Sequence, residues 1–362
     1  MMKAKKFLKV ILCIVLAAVV IAGGYLAYVF IDYHRLPDNQ ELTVFNANGR
    51  AAERGTPYQI VSWNIGFGAY EDDYGFFMDG GTQSWAWSKE RLEANLENIG
   101  QFLFEQDADF LLVQEIDTDS TRSYHVNEDE ILEFRLNQEH AYVHVFAQNY
   151  DSPFLFYPLT QPHGASKAGV GTFSDYTIDS AVRRSLPIET GFTKFLDLDR
   201  CYSVSRIPVY GGGELVLYNL HLSAYTSDGT IATEQLRMLL EDMQGEYEAG
   251  NWCVAGGDFN KDLLGDSSVY FGASDIEYTW AQPIPPETFD GVDIVLIAPL
   301  DEENSVPSCR NADGPYHEGQ YVLTVDGFLA SPNVAVNEAK VIDTGFRYSD
   351  HNPVSMEFTL QG

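Results

Sequence analysis

The chain has 362 residues, with 53 acidic against 22 basic side chains and a formal net charge of −31. Its 21 Tyr, 22 Phe and 5 Trp exclude a disordered acidic polymer, and 45% hydrophobic residues suffice for a substantial core. The charge argues against a protein that grips polyanions through clustered Lys and Arg, but not against one that meets phosphate through a metal ion.

The charge is unevenly placed. Residues 1–36 hold Lys3, Lys5, Lys6, Lys9 and Arg35 against Asp32 alone, a net +4, and the remainder carries −35. Residues 10–31 contain no charge. As a helix this run is about 33 Å long, enough to cross a hydrocarbon core of roughly 30 Å. The lysines before it place residues 1–9 in the cytoplasm, 10–31 across the membrane and everything after Asp32 outside. The run outlasts the roughly 7–15 apolar residues of a signal peptide, which favours an uncleaved single-pass anchor in the cell membrane. Cleavage among the small residues 18–24 would instead give a secreted protein. Residues 32–56 are polar without a sustained pattern and read as a linker, leaving 57–362 as one domain.

In chain order, Tyr58 to Trp63 alternates as a strand and ends at Asn64. Residues 87–105 carry Leu92, Leu96, Ile99 and Leu103 at helical spacing, with Ser88 as N-cap. Asp109 to Glu115 reads as a buried strand and 141–147 as another. Residues 149–167 read as a long connection rich in Pro, Gly and aromatics, of the kind that often carries function. Strands at 170–173, 201–209 and 215–222 follow, the last two joined by Gly211, Gly212 and Gly213. Residues 230–248 form an amphipathic helix. Strands at 251–257, 294–297, 321–329, 334–342 and 354–358 complete the set. Mostly β segments with two interposed helices suggest two packed sheets with helices outside. Cys13 lies in the apolar run; Cys201, Cys253 and Cys309 lie outside it, allow at most one disulfide and form no zinc pattern. Cys253 reads as a small core residue.

Polar residues collect at strand ends: Asn64, Gln114 with Glu115, His221, Asp258 with Asn260, Asp326, and Asp350 with His351 before the last strand. Singly, each is more often a turn or surface residue. Jointly, they offer hard oxygen ligands and two imidazoles, a set that suits Mg2+, Mn2+ or Ca2+ rather than zinc.

The series Ser62-Trp63-Asn64, Val113-Gln114-Glu115, Asn219-Leu220-His221-Leu222, Gly257-Asp258-Phe259-Asn260, Val325-Asp326 and Ser349-Asp350-His351 resembles the endonuclease/exonuclease/phosphatase (DNase I-like) superfamily. The resemblance runs from about Tyr58 to Phe358 and is specific for fold and chemistry, not for substrate. It implies an α/β fold, a four-layer α/β/β/α sandwich of two mixed β-sheets flanked by helices, preceded here by the membrane helix. It implies a divalent ion, usually Mg2+, at Glu115 with Asn64 beside it. Asp258 would orient or deprotonate the attacking water, and Asn260 would bond the phosphate or the water. His351, next to Asp350, and His221 would share acid and base work, with Asp326 supporting one of them. Adjacent residues on an extended chain face opposite ways, so which carboxylate braces which histidine stays open.

Lys167, Arg183 and Tyr225 are candidate substrate contacts, each with a packing or surface alternative. The expected function is a membrane-anchored, extracytoplasmic, metal-dependent phosphoesterase acting on a phospholipid headgroup, phosphosugar or similar ester. A DNase-type endonuclease is the second reading, and a catalytically inactive scaffold the third. No insertion interleaves basic and aromatic residues, so nucleic acid is not the favoured partner. A monomer is the default expectation.

Overall fold

The computed structural model describes residues 2–138, 140–189, 191, 194, 199–224, 230–272, 281–301 and 303–362. Among the described residues the main helices are α1 (Met2–Asp32), α2 (Lys89–Glu105), α3 (Glu128–Leu136) and α4 (Thr230–Glu248), with a short helical piece at Ser268–Phe271. The strands are β1 (Gln40–Glu41), β2 (Val44–Phe45), β3 (Pro57–Asn64), β4 (Phe110–Asp117), β5 (Val143–Leu155), β6 (Gly164–Ser174), β7 (Ser180–Ser185) and β8 (Cys201–Pro208). They continue as β9 (Glu214–His221), β10 (Trp252–Asp258), β11 (Val295–Ile297), β12 (Cys309–Arg310), β13 (Val322–Leu323), β14 (Asp326–Ala330), β15 (Val334–Val341) and β16 (Val354–Leu360).

Two mixed sheets of seven strands result, ordered β1-β7-β8-β9-β10-β14-β11 and β15-β16-β3-β4-β6-β5-β2. They pack face to face. Ile60, Phe110, Leu112 and Phe358 of one sheet meet Leu215, Leu217, Val254 and Phe328 of the other. The alternate residues point outward. Val61, Trp63, Leu111 and Val113 receive Leu92, Leu96, Ile99 and Leu103 of α2, while Val216, Tyr218, Cys253 and Ala255 receive Leu236, Leu239, Leu240 and Met243 of α4. Both faces of the central strands are therefore buried, which is why their sequences read as unbroken apolar runs. The order of layers is α/β/β/α, as expected from the sequence. Ser88 caps α2 as expected, its Oγ accepting from Arg91 N at 3.2 Å.

Three expectations are corrected. Residues 32–56 do not hang free as a tether. β1 pairs with β7, β2 pairs with β5, Ala52 is fully buried against the core, and Leu36 N donates to Asp199 Oδ1 at 2.7 Å. Residues 149–167 are not one long loop: β5 and β6 extend through them as a hairpin, and only 156–163 remain as its tip. The single strand expected at 321–329 is two, β13 and β14, with Asp326 opening the second rather than closing the first. The described cysteines are all unpaired, and Cys253 lies in the core under α4.

α1 is long and apolar enough to cross a membrane, and its residues are almost all exposed.

Candidate active site

Strand register assembles the site. β9 and β10 run parallel with His221 opposite Asp258, and β14 runs antiparallel to β10 with Asp326 opposite the same Asp258. Asp258 thus stands between the other two at one sheet end. Gly257 makes this possible: a Cβ there would sit 2.0 Å from Leu220 O, so only glycine allows β9 and β10 this approach. On the facing sheet, β3 and β4 run parallel with Asn64 opposite Gln114. The β4–β6 ladder is interrupted by a bulge between Val113 and Ile116, where Glu115 takes φ 56°, and the carboxylate is turned into the cavity. A left-handed backbone on a non-glycine residue is costly, and here it coincides with a site side chain.

Beneath these groups lies a buried polar clamp between the sheets. Gln114 Nε2 donates to Ser62 Oγ (3.1 Å) and Asn219 Oδ1 (2.8 Å), and Asn219 Nδ2 donates to Gly171 O (2.8 Å). The loop before β16 is pinned on top. Trp63 Nε1 donates to His351 O (2.8 Å), Ser349 Oγ to Asn64 O (2.8 Å), and Asn95 Nδ2 of α2 to Tyr348 O (2.8 Å).

The result is a cavity of about 580 Å3 whose lining includes Glu115, His221, Asp258, Asn260, Asp350 and His351. Asn64 Nδ2 bridges the two carboxylates, at 3.0 Å from Asp258 Oδ2 and 3.3 Å from Glu115 Oε1. His221 Nε2 lies 3.6 Å from Asp258 Oδ2 and 3.8 Å from Glu115 Oε1. Asp258 Oδ1 accepts from Asn260 N (2.8 Å), and Asn260 Nδ2 donates to Leu222 O (2.8 Å). His351 Nδ1 meets Asp326 Oδ2 at 2.8 Å, and the same oxygen accepts from Ser308 Oγ at 2.7 Å. The carboxylate that braces His351 is therefore Asp326, not its neighbour Asp350, whose Oδ1 takes a bond from Ser349 Oγ (3.2 Å).

Environment separates the ionisable groups. Burial opposes a charged His351, but the Asp326 carboxylate outweighs it and holds the imidazole well above its ordinary range. Burial pushes His221 well below, reinforced by the positive charges of Arg200, His351 and Arg122. The two imidazoles are thus complementary at neutral pH, His351 a proton donor and His221 an acceptor. Burial raises Asp258 to about 7, opposed by His351 and aided by Asp326. Burial also raises Asp350 to about 7, opposed by His351 and Arg310.

Of the three candidate substrate contacts, the two that are described, Lys167 and Arg183, are not on the cavity wall. Lys167 is exposed on β6, where its neighbour Ala168 faces the cavity instead. Arg183 is buried, and its guanidinium is spent on Gln148 O, Pro37 O, Asp199 O and Ser185 Oγ. It holds residues 32–56 to the body. Arg183→Met is expected to cost about 3 kcal/mol or more, because several buried carbonyls lose their donor at once. Thermal unfolding of the purified protein checks this; an unchanged midpoint would refute it. Tyr225 lies outside the described residues.

The cations on the wall are ones the sequence reading passed over: Arg122, Arg200 and Arg310. Arg122 is paired bidentately with Asp117 (2.9 and 3.0 Å). Arg310 is fully buried. Its Nη atoms donate to the carbonyls of Asn311, Gly314, Glu71 and Tyr74, and its Nε is buried without a hydrogen-bond partner. No carboxylate neutralises it through a hydrogen bond among the described residues, so its charge acts on the cavity. In sequence it was one arginine in an irregular stretch, with no periodicity to mark it.

The donor set fits a hard divalent ion. Glu115 and Asp258 face each other across one amide, and Asp326 Oδ1 is buried with no partner. Burial pushes the Cys309 thiol up to about 12, so the cysteine that lines the cavity among the described residues offers no thiolate. Asp258, Asp326 and His351 also bring ligand atoms within 4.8 Å of one another. Asp326 Oδ2 is already bonded to His351 Nδ1, which leaves the carboxylates of Glu115 and Asp258 as the oxygen donors beside Asn64.

An α/β sandwich with carboxylates, a carboxylate-braced imidazole and a buried arginine at one sheet end defines a hydrolase for charged esters. Residues 61–351 match the Endonuclease/Exonuclease/phosphatase family, and the chain belongs to it. It is a hydrolase acting on phosphoester bonds, and enzymes of this family are generally divalent-metal dependent. No curated protein sequence matches the chain. Solved structures share the fold. An endonuclease/exonuclease/phosphatase from Beutenbergia cavernae has TM-score 0.57 at 17% identity, covering 84% of this chain and 72% of that one. The human Nocturnin catalytic domain with bound sulfate has TM-score 0.53 at 16% identity, covering 88% and 97%. ANGEL2, described as a 2',3'-cyclic phosphatase, has TM-score 0.55 at 15% identity, covering 90% and 100%.

Proposed function

We propose that the protein is a membrane-anchored phosphoesterase whose catalytic body faces away from the cytoplasm and hydrolyses a phosphate mono- or diester in this cavity. The observation that carries the reading is the convergence of Glu115, Asp258, His221 and the Asp326–His351 dyad on one cavity floor beside the buried charge of Arg310. Four lysines before the uncharged run support the orientation.

Glu115, with Asn64 beside it, would hold a divalent ion, Mg2+ by preference and Mn2+ or Ca2+ as substitutes. That ion supplies charge neutralisation on the phosphoryl oxygens. Arg310 adds a second, fixed positive charge from the cavity wall. Asp258, raised toward neutrality and held by Asn64 and Asn260 N, orients the attacking water and takes up its proton. His351, kept protonated by Asp326, donates to the leaving oxygen or to the phosphoryl group. His221, kept neutral, accepts a hydrogen bond across the same space. Asn260 and Asp350 complete the polar rim.

The full-length protein in detergent, assayed with Mg2+ on bis-p-nitrophenyl phosphate, sphingomyelin and plasmid DNA, tests the reading. Turnover on a phosphoester is expected, to be lost with EDTA and restored by added Mg2+ or Mn2+. Inactivity on all three substrates with and without metal would overturn it in favour of a scaffold. Cleavage of DNA alone would replace it with a nuclease.

A further inference from the structure

One residue of the apolar N-terminal helix reaches the catalytic cavity. Tyr25 of α1 lines it, together with Leu155, Phe156, Tyr157 and Leu159 of the β5–β6 hairpin. The contact is specific. Tyr25 Oη donates to Phe154 O at 3.1 Å and accepts from Phe156 N at 3.3 Å, while Tyr28 Oη accepts from Phe154 N at 3.1 Å. The Tyr25 and Phe156 rings pack edge to face at 4.8 Å. Just below, Val29 is buried among Tyr25, Tyr33 and Tyr150. Arg35 Nη2 then bonds Leu186 O at 2.8 Å.

This fixes the depth of the hairpin. Tyr25 lies 16 residues beyond Lys9, about 24 Å along the helix, and a hydrocarbon core is roughly 30 Å thick. Tyr25 and Tyr28 therefore fall near the far boundary of the core, where tyrosines concentrate. The backbone bonded to them must lie at that level too. The hairpin agrees: residues 154–163 contain no Asp, Glu, Lys or Arg, in a chain where charged residues make up 21%. Phe156, Tyr157 and Leu159 are 51%, 70% and 83% exposed to water, which is unfavourable unless lipid covers them.

We propose that the substrate is a membrane lipid bearing a phosphoester headgroup, taken laterally from the leaflet into which α1 emerges. The headgroup enters past Tyr25, Phe156 and Tyr157, and the acyl part stays in the bilayer against the hairpin tip. This rests on the membrane-anchored phosphoesterase reading above and narrows it to one substrate class. The reaction needs no partner but water: the water oxygen forms a new P–O bond, one ester P–O bond breaks, and the leaving oxygen takes a proton while the attacking water loses one.

The test uses full-length protein reconstituted into vesicles of phosphatidylcholine, phosphatidylglycerol and sphingomyelin, with bis-p-nitrophenyl phosphate supplied in solution to the same vesicles. Headgroup release from a vesicle lipid is expected. In the triple variant Phe156→Ser, Tyr157→Ser, Leu159→Ser, the ratio of lipid to soluble turnover is expected to fall about tenfold or more, from lost apolar contact. Turnover of the soluble ester without release from any vesicle lipid would overturn the lipid assignment and leave the phosphoesterase standing. So would a ratio unchanged in the variant. Inactivity of the wild type on both would overturn the underlying reading as well.

Discussion

Glu115→Gln is expected to lower kcat by roughly a thousandfold or more, because it removes the charge that would hold the ion and with it several kcal/mol of transition-state stabilisation. The substitution is nearly isosteric. Glu115 is only partly buried, and Gln can keep the bond from Asn64 Nδ2 through its own carbonyl oxygen. Its left-handed backbone is set by the bulge between Val113 and Ile116, not by the carboxylate. The fold should therefore survive, and the loss should appear in two independent readouts: turnover, and calorimetric titration of Mn2+ into the enzyme without substrate. Wild-type turnover with unchanged Mn2+ binding would remove Glu115 from the site.

The second large effect is expected at the dyad. His351→Ala should lower kcat by roughly 10²–10⁴-fold, the range for losing a positioned acid or base. A change confined to KM would refute a chemical role. Asp326→Asn separates position from charge. The Asp326 carboxylate raises the pKa of His351, so the protonated imidazole persists to higher pH in the wild type. Removing that charge lowers the pKa, and the alkaline limb of the kcat/KM profile should move to lower pH. An unmoved limb would show that His351 is not the titrating acid. Because Ser308 Oγ and the backbone of β14 hold residue 326 in place, the amide should remain in position.

The sequence marked the candidate carboxylates and imidazoles because each lies at or next to the boundary of an apolar strand, and a polar residue there interrupts a pattern of period two or an unbroken run. It could not mark Arg310 or Ser308, which lie in irregular chain before the short β12 or at its end. Nor could it show that Arg183, a cation at an inviting place in order, would turn inward to hold residues 32–56 against β7 and β8.

By itself, the sequence determined the four-layer class, the helix boundaries at Ser88 and across 230–248, the apolar N-terminal helix and the list of chemical groups. Those are local properties: hydrophobic period, capping residues and composition. Only the tertiary structure decided which groups meet. Register across β9, β10 and β14 set Asp258 between His221 and Asp326, and the folding back of the 348–352 loop gave His351 to Asp326 instead of Asp350. It likewise brought Tyr25, 90 residues before Glu115 in the chain, onto the wall of the same cavity. Contacts of that kind join segments far apart in sequence, and no period within either segment carries information about the other.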